Sequence, residues 1–343
     1  MMKTQNILLS LFLILLLVFS ACREITVTTK VNPDGTFTRI IMVTGDSSDV
    51  FKTNLPFPVD ETWAQMSSKD SSDSTKYMVT YTKSFRNSNE LNAEIKGDTS
   101  QYRNLKRDIT VTKRFRFFFS YLTFNEVYKS ANPFTKLDYR DYLTEEDIQW
   151  YSGLKVSVTA ADSTRRSEAE VKTETFLLAS VTAEVESIIQ NGIKRLNNPL
   201  LNSVDVSVFH DSLYNKIEGW DLKVADDFID YYCEWSGNEA FSMLNSLEPP
   251  LFEDFTKKMA VLETIFELEG YTEEVEMPGL ITATNSAMLN GNQVRWDFQA
   301  MSVMVTDYEM FVESRVINYW AFILAGLVLL ALVVLLVIKA VGK

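Results

Sequence analysis

Adjacent carboxylates are the residues of this sequence best suited by type and spacing to acid–base chemistry, and they occur as Glu145-Glu146, Asp226-Asp227 and Glu273-Glu274. In principle, such residues could supply the acid and the nucleophile of a glycosidase. Neighbouring side chains, however, point in different directions on a helix and to opposite faces of a strand. Charged pairs of this kind are usually solvated surface, so we predict that no carboxylate is catalytic.

The single histidine and the two cysteines offer little further chemistry. We interpret His210, which precedes Asp211, as a surface or helix-capping residue rather than a base. Cys233 lies on the apolar side of a predicted helix and reads as a buried thiol, because a redox role lacks a nearby resolving cysteine in the sequence. The chain also lacks nucleophile-elbow, phosphate-loop, dinucleotide and zinc-protease motifs. We predict no enzyme activity, no metal and no cofactor.

Cys22 follows the small residues Ser20 and Ala21 at the end of an apolar run over residues 7–19. A basic start, a short apolar core and small residues at its exit are typical of a secretory signal peptide. The run is too short to cross a hydrocarbon layer of about 30 Å as a helix. Residues 1–21 are therefore predicted to form an export signal.

The four residues Phe19-Ser20-Ala21-Cys22 resemble the lipobox of bacterial lipoproteins, although Phe19 stands where leucine is usual. The resemblance implies cleavage before Cys22 and attachment of diacylglyceryl and palmitoyl groups there. The alternative is an ordinary signal cleaved after Ala21, which would leave an incidental cysteine. We favour lipidation, because a chain with two cysteines would rarely place one at this position by chance.

A second apolar run, residues 320–338, contains no charged residue and would form about 28 Å of helix. Tyr319 and Trp320 stand at one end, where aromatic rings favour the membrane interface, and Lys339 and Lys343 follow the other end. A buried core helix would show some polar face, and this run has none. We predict a transmembrane helix over 319–339, followed by a tail over 340–343.

The two apolar ends together predict the location of the protein in the cell. If the signal exports the chain, one span leaves the C-terminus in the cytoplasm, and the terminal lysines agree with this. Helical spans belong to the cytoplasmic (inner) membrane of bacteria, because the outer membrane contains barrels. The region between the anchors would then lie on the periplasmic, extracytoplasmic side. The net charge of −13 argues against nucleic acid as a partner and against broad adsorption to anionic headgroups.

Strand patterns dominate the start of the exported chain, over residues 22–135. Two β-rich runs flank Asn32-Pro33-Asp34-Gly35, a turn sequence that predicts a hairpin. An alternating run follows at residues 77–85, after a polar stretch at 67–75 that is predicted to be a loop.

Residues 109–128 contain seven aromatic residues and a basic cluster of Lys113, Arg114 and Arg116. A nucleic-acid stacking platform also combines aromatic and basic residues. The other interpretation is a central strand buried on both faces, with flanking charges that discourage aggregation. We favour the buried strand, because the protein is acidic and carries an export signal.

Helical spacing of apolar residues predicts a helical insertion over 136–262, and strand patterns return over 263–318. The residues between Leu262 and Tyr271 fit either a helix or a strand, so the point where helix changes to strand stays open. Asn290-Gly291 between alternating runs predicts a second hairpin. The fold class is therefore predicted to be α+β, in which N-terminal and C-terminal β segments share an antiparallel sheet.

The lipobox cysteine, the opening Asp-Gly hairpin, Met277-Pro278-Gly279, Trp296 and the terminal span together resemble the LppM-like family of bacterial envelope lipoproteins. The resemblance covers the two ends of the chain and leaves out the helical middle. It implies an envelope domain that binds lipid or glycolipid and has no catalytic residues. We therefore expect a membrane-tethered protein that binds a lipid, a glycolipid or an envelope protein near the bilayer. The alternative is an extracytoplasmic hydrolase acting on membrane-proximal envelope polymers.

Overall fold

The computed structural model describes residues 23–52, 55–69, 76–219 and 226–341. The predicted signal at 1–21, Cys22 and Lys343 lie outside the described residues. The chain divides into two compact units. The sheet unit comprises Met1–Tyr128, Glu269–Gln299 and Tyr308–Lys343, and the helical unit comprises Lys129–Leu268 and Ala300–Asp307.

The described part of the sheet unit contains strands β1 to β11 and two helices, α1 and α7. The strands are β1 Arg23–Val31, β2 Phe37–Gly45, β3 Ala64–Lys69, β4 Tyr77–Phe85, β5 Arg107–Arg116, β6 Phe119–Tyr128, β7 Tyr271–Glu276, β8 Leu280–Thr284, β9 Met288–Asn290, β10 Gln293–Phe298 and β11 Tyr308–Ile317. The helices are α1 Ser88–Lys96 and α7 Tyr319–Val341.

Seven strands form the first sheet, in the order β3-β4-β2-β1-β7-β10-β9. The predicted hairpins are confirmed: β1 pairs with β2, β9 pairs with β10, and Gly35 and Gly291 adopt the positive φ that such turns require. Because β1 also pairs with β7, N-terminal and C-terminal segments share this sheet, which confirms the α+β prediction. The β1–β7 pair is parallel, however, so the sheet is not wholly antiparallel. The predicted loop at 67–75 is also wrong at its start, since residues 67–69 belong to β3.

Four strands form a second sheet, in the order β5-β6-β11-β8. The predicted central strand over 109–128 is wrong, because this stretch folds into the antiparallel β5–β6 hairpin and β5 is an edge strand. Phe117 and Phe118 connect the two strands. The predicted strand of twenty residues was also far longer than strands usually are. The aromatic ring of Phe115 is also exposed near this turn.

The helical unit contains five α-helices in its described part: α2 Glu145–Tyr151, α3 Ala160–Leu196, α4 His210–Glu218, α5 Asp226–Ser236 and α6 Glu253–Phe266. Short 3₁₀ helices lie at Gln101–Asn104 in the sheet unit and at Tyr139–Asp141, Val206–Phe209, Glu239–Ser246 and Ala300–Met304 in the helical unit.

Local sequence signals explain where these helices begin and end. Thr144 and Thr159 each form a capping box with an aspartate three residues later, which satisfies free N–H groups at the starts of α2 and α3. Helix α3 ends at Asn197, which adopts the left-handed conformation. Helix α6 continues to Phe266, beyond the predicted boundary at 262, because Ile265 extends its buried face.

The C-terminal helix α7 contains 23 residues and is long and apolar enough to cross a membrane. Of its described side chains, that of Ala321 is buried and nearly all the others are exposed. A helix that is apolar on every side and unburied by protein is expected to lie in lipid. The prediction of one C-terminal apolar helix that could span a membrane is confirmed.

Candidate functional site

The candidate site is a pocket of about 430 Å³ in the helical unit, between helices α3 and α6. Its volume falls within the range of roughly 300–1,000 Å³ that is usual for small-molecule sites. Its walls are mainly aliphatic and aromatic. The apolar lining residues are Phe134, Leu177, Leu178, Val181, Ile217, Phe228, Phe255, Met259, Ala260, Leu262, Phe266 and Met301.

Helical periodicity explains why α3 presents an apolar wall. Leu177, Leu178 and Val181 lie within about one turn of each other, so their side chains emerge on neighbouring parts of the helix surface. Phe255, Met259 and the residues that follow them provide a similar stripe on α6. Two long helices that face each other through such stripes leave the pocket between them.

The hydroxyl groups that line the pocket donate to protein acceptors. Thr173 donates to the carbonyl of Ala169 in α3 over 2.9 Å, and Thr256 donates to the carbonyl of Phe252, the residue before α6, over 3.1 Å. The hydroxyl of Tyr151 donates to the carbonyl oxygen of Met301 over 3.0 Å, and burial raises the pKa of this phenol. The hydroxyl protons therefore already form hydrogen bonds within the protein, and the pocket offers few polar donors to a ligand.

Three carboxylates, Glu170, Glu174 and Glu263, complete the lining, and all three residues are exposed. Glu170 accepts a hydrogen bond of 3.1 Å from Arg166 one turn earlier on α3. Carboxylates are hydrogen-bond acceptors and repel other anions. The rim therefore suits an uncharged group with hydroxyl or amide donors, or a cation, and disfavours phosphate or carboxylate.

The sheet unit contains a separate cluster of charged side chains, which is fully buried. The guanidinium of Arg39 on β2 donates to Glu126 on β6 over 3.1 Å and to Glu273 on β7 over 3.0 Å. Thr29 on β1 donates to the second oxygen of Glu273 over 2.8 Å. Burial raises the pKa of Glu273, and the nearby Arg39 guanidinium opposes this shift. One arginine thus holds two carboxylates from different strands.

Arg107 on β5 supplies the second positive charge of this cluster. Its guanidinium lies 3.9 Å from Glu126 and donates to the hydroxyl of Tyr128 over 2.7 Å. The ring of Phe57 lies between the two arginines, with its centroid 4.0 Å from Arg39 Cζ and 3.8 Å from Arg107 Cζ. Cations placed over aromatic faces in this way are attracted by the ring.

The cluster holds two arginines and two glutamates, so its formal charges balance. The side chains of Arg39, Glu126 and Glu273 are 0% exposed, so the carboxylates do not face a cleft. We interpret the cluster as structural. The prediction that Glu273 belongs to a solvated pair is wrong, because its side chain is fully buried. Arg39 and Glu126 were not predicted to be buried, although each stands at an inward position of an alternating strand. A charge at an inward position of the period-two pattern was the available signal.

The candidate catalytic residues named from the sequence have separate surroundings. Glu146 pairs with Lys155 over 2.8 Å, whereas Glu274 accepts from Gln293 over 2.8 Å. Asp226 and Asp227 begin helix α5, and Glu145 begins α2. Among the described residues, no group of three or more His, Cys, Asp or Glu side chains is arranged to hold a metal ion.

His210 is the first residue of helix α4, and its Nδ1 lies 2.8 Å from a carboxylate oxygen of Glu186 on α3. Cys233 is half-buried on α5, and burial raises the pKa of its thiol. A raised pKa reduces the thiolate fraction of Cys233 at neutral pH.

The predicted membrane-interface residues occupy the two ends of α7. Tyr319 and Trp320 begin the helix and are well exposed, and Lys339 lies in its last turn. Lys343 and the predicted lipid-attachment residue Cys22 are outside the described part of the chain.

Comparison with known proteins adds little to this geometry. No family model matches the chain, and no curated protein matches it. A weak structural likeness links it to the NMR structure of the folded domain of the Mycobacterium tuberculosis LppM protein, with 8% sequence identity and a TM-score of 0.28. The alignment covers 86% of this chain and 91% of that domain.

Proposed function

We propose that this protein is a membrane-tethered binding protein that holds an amphiphilic molecule, a lipid or glycolipid, in the pocket of the helical unit. In this proposal, lipidated Cys22 and helix α7 anchor the chain to the bacterial cytoplasmic membrane, with the region between them on the extracytoplasmic side. The apolar pocket between α3 and α6 is the observation that carries the proposal.

The composition of the pocket favours one class of ligand. An acyl chain or another apolar body suits walls made of leucine, valine, methionine and phenylalanine, because burial of apolar surface is the main available driving force. The carboxylates at the rim favour a head that is uncharged and rich in hydroxyls, or cationic. A small amphiphile fits the concave site better than an envelope protein partner does.

The alternative of a hydrolase has less support from the same pocket. A glycosidase needs one carboxylic acid held in its protonated form by burial, opposite a second carboxylate. Glu170, Glu174 and Glu263 are solvent-exposed instead, so they lack that desolvation. The buried carboxylates Glu126 and Glu273 have no access to a substrate.

Photo-crosslinking of the full chain in lipid nanodiscs tests the proposal. Two diazirine probes of equal chain length, a fatty alcohol and a fatty acid, would be added separately, and the crosslinked peptides would be identified by mass spectrometry. We expect adducts on α3 and α6 peptides, and more of them with the alcohol than with the acid. Adducts on α7 report probe in the bilayer and serve as the internal reference.

Two variants of α3 make this experiment specific. Val181→Trp should fill the pocket and reduce the α3 and α6 adducts severalfold relative to α7, because Val181 lines the cavity. Val171→Trp is the matched control, because Val171 is 59% exposed on the same helix and does not line the pocket. Adducts confined to α7, or equal losses in the two variants, would contradict the proposal.

A further inference from the structure

The turn of the β5–β6 hairpin presents a cluster of exposed aromatic rings beside the start of helix α7. Phe115, Phe117 and Phe118 are 55, 45 and 38% exposed. A contiguous apolar patch of this kind on a folded protein usually marks an interaction surface. These residues belong to the sheet unit, and the pocket of the helical unit does not use them.

The rings of the hairpin stack on the first turn of the helix. Phe115 lies parallel to Trp320, with ring centroids 6.0 Å apart, and Phe117 meets the same indole edge-on at 5.6 Å. Phe118 contacts Phe322 with centroids 4.8 Å apart. The aromatic surface of the hairpin is therefore continuous with the surface of the predicted span.

Asn318, the residue before α7, links the hairpin turn to the start of the helix through hydrogen bonds. Its backbone N–H donates to the carbonyl of Phe118 over 2.9 Å, and its side-chain amide donates to the carbonyl of Phe117 over 3.0 Å. The hydroxyl of Ser120 donates to the Asn318 side-chain oxygen over 3.0 Å. Three hydrogen bonds thus fix the depth of the turn relative to the helix.

This attachment determines where the phenyl rings lie if α7 crosses a bilayer. Phe322 is three residues beyond Tyr319, which corresponds to about 4.5 Å along the helix axis. Aromatic residues at the start of a span occupy the headgroup region. Phe118, in contact with Phe322, would therefore lie at the boundary between headgroups and acyl chains, with Phe117 beside it.

Basic side chains surround the aromatic turn. Lys113, Arg114 and Arg116 are exposed on β5, and the Arg315 guanidinium lies 4.7 Å from the centroid of the Phe119 ring. Arg114 also lies 3.7 Å from Glu313, so this charge is partly balanced. Basic residues next to an inserted apolar group are attracted by anionic lipid phosphates. This local positive charge differs in sign from the net charge of −13.

We propose that the β5–β6 turn is a second membrane contact, which inserts Phe117 and Phe118 into the interface beside α7 and places the adjacent basic residues against anionic lipid headgroups. The contact would hold the β5–β6 hairpin at a fixed depth in the membrane interface beside α7. The proposal is independent of the pocket and of acylation at Cys22.

Site-directed spin labelling of the full chain in nanodiscs tests this contact. The background would carry Cys22→Ser and Cys233→Ser, and single cysteines would replace Phe117, Phe322 or Thr110. Thr110 is exposed on β5, seven residues before Phe117, which corresponds to about 23 Å of extended chain. Collision rates with oxygen, which concentrates in lipid, and with a water-soluble nickel chelate report the depth of each label.

The label at Phe117 should favour oxygen over the nickel chelate, as the label at Phe322 does, whereas the label at Thr110 should favour the chelate. The preference at Phe117 should increase when phosphatidylglycerol is included in phosphatidylcholine discs. A Phe117 label that behaves like the Thr110 label would overturn the proposal. Protection from both reagents would overturn it too, because a protein or a second copy would then cover the turn. Equal depth in the two lipid mixtures would overturn the role of anionic headgroups.

Discussion

Replacement of Arg39 with methionine should strongly destabilise the sheet unit. The Arg39 guanidinium donates to both Glu126 and Glu273, and all three side chains are fully buried. Methionine has a similar volume and no charge. The variant would leave two buried carboxylates with Arg107 as the remaining nearby cation, 3.9 Å from Glu126.

The expected cost follows from this change in charge. Removal of one partner of a buried ion pair typically costs about 3–5 kcal/mol, because the remaining charge is desolvated and uncompensated. For a unit of this size, about 1 kcal/mol corresponds to roughly 2–4 °C in the melting temperature. We therefore expect a decrease on the order of 10 °C in the variant.

The loss of stability in Arg39→Met should increase with pH. Burial already raises the pKa of Glu273, and removal of Arg39 raises it further because the opposing attraction disappears. An acid whose pKa is higher in the folded state stabilises the protein below its unfolded pKa of about 4.3, and this contribution is lost as the pH rises through the folded pKa. Burial raises the pKa of Glu273 to about 8 in the wild type. The difference in melting temperature between the variant and the wild type should therefore be larger at pH 9 than at pH 5.

Thermal unfolding of the full chain in detergent micelles, followed by near-UV circular dichroism at pH 5 and pH 9, measures both effects. Arg39→Met combined with Glu273→Gln leaves Arg107 and Glu126 as a balanced pair and should recover more than about 1 kcal/mol. Arg140→Met is the control, because Arg140 forms an exposed pair and should matter little. A loss in Arg39→Met that is no larger than in this control, or that is independent of pH, would refute the reasoning.

Three further predictions concern the backbone and the anchors. Gly279→Ala should lower the free energy of unfolding by at least about 1–3 kcal/mol, because Gly279 has a φ of +80° and an added Cβ would collide with the backbone of β11. Gly237→Ala is the control and should cost less, because an added Cβ there meets open space. Equal losses in melting temperature in the two variants would contradict this. Cys22→Ser should abolish incorporation of labelled fatty acid and leave a heavier precursor on mass spectrometry, and persistent labelling would show that the lipobox interpretation is wrong. In intact spheroplasts, an impermeant thiol reagent should react with Ser72→Cys but not with Gly342→Cys, and equal reaction would reverse or abolish the proposed topology.

Local features of the fold could be predicted from the sequence alone. The turns at Gly35 and Gly291 depend on backbone conformations that a few neighbouring residues specify, so both hairpins were predictable. The apolar helix from Tyr319 to Val341 needs no information beyond its own composition, since every side chain can face lipid. The α+β class follows from periodicities of two and of about 3.6 that occur in separate parts of the chain.

Features that depend on distant partners could not be predicted in this way. The parallel pairing of β1 with β7 joins Thr26 to Thr272, and no local pattern specifies which strand lies beside another. The prediction of one buried strand over residues 109–128 is wrong, because an apolar run indicates burial without showing what covers it. In the structure, the rings of Phe115 and Phe118 face the start of α7 instead.

The two hairpins, the positions of most helices and the apolar C-terminal helix follow from the sequence alone, because propensity, turn chemistry and hydropathy act over a few residues. The way in which those elements pack together depends on long-range contacts in the folded chain. These contacts bring Arg39, Glu126 and Glu273 from three strands into one buried cluster and create the pocket between α3 and α6. Both sites consist of side chains far apart in sequence, so their geometry exists only after long-range packing has fixed the distances between them.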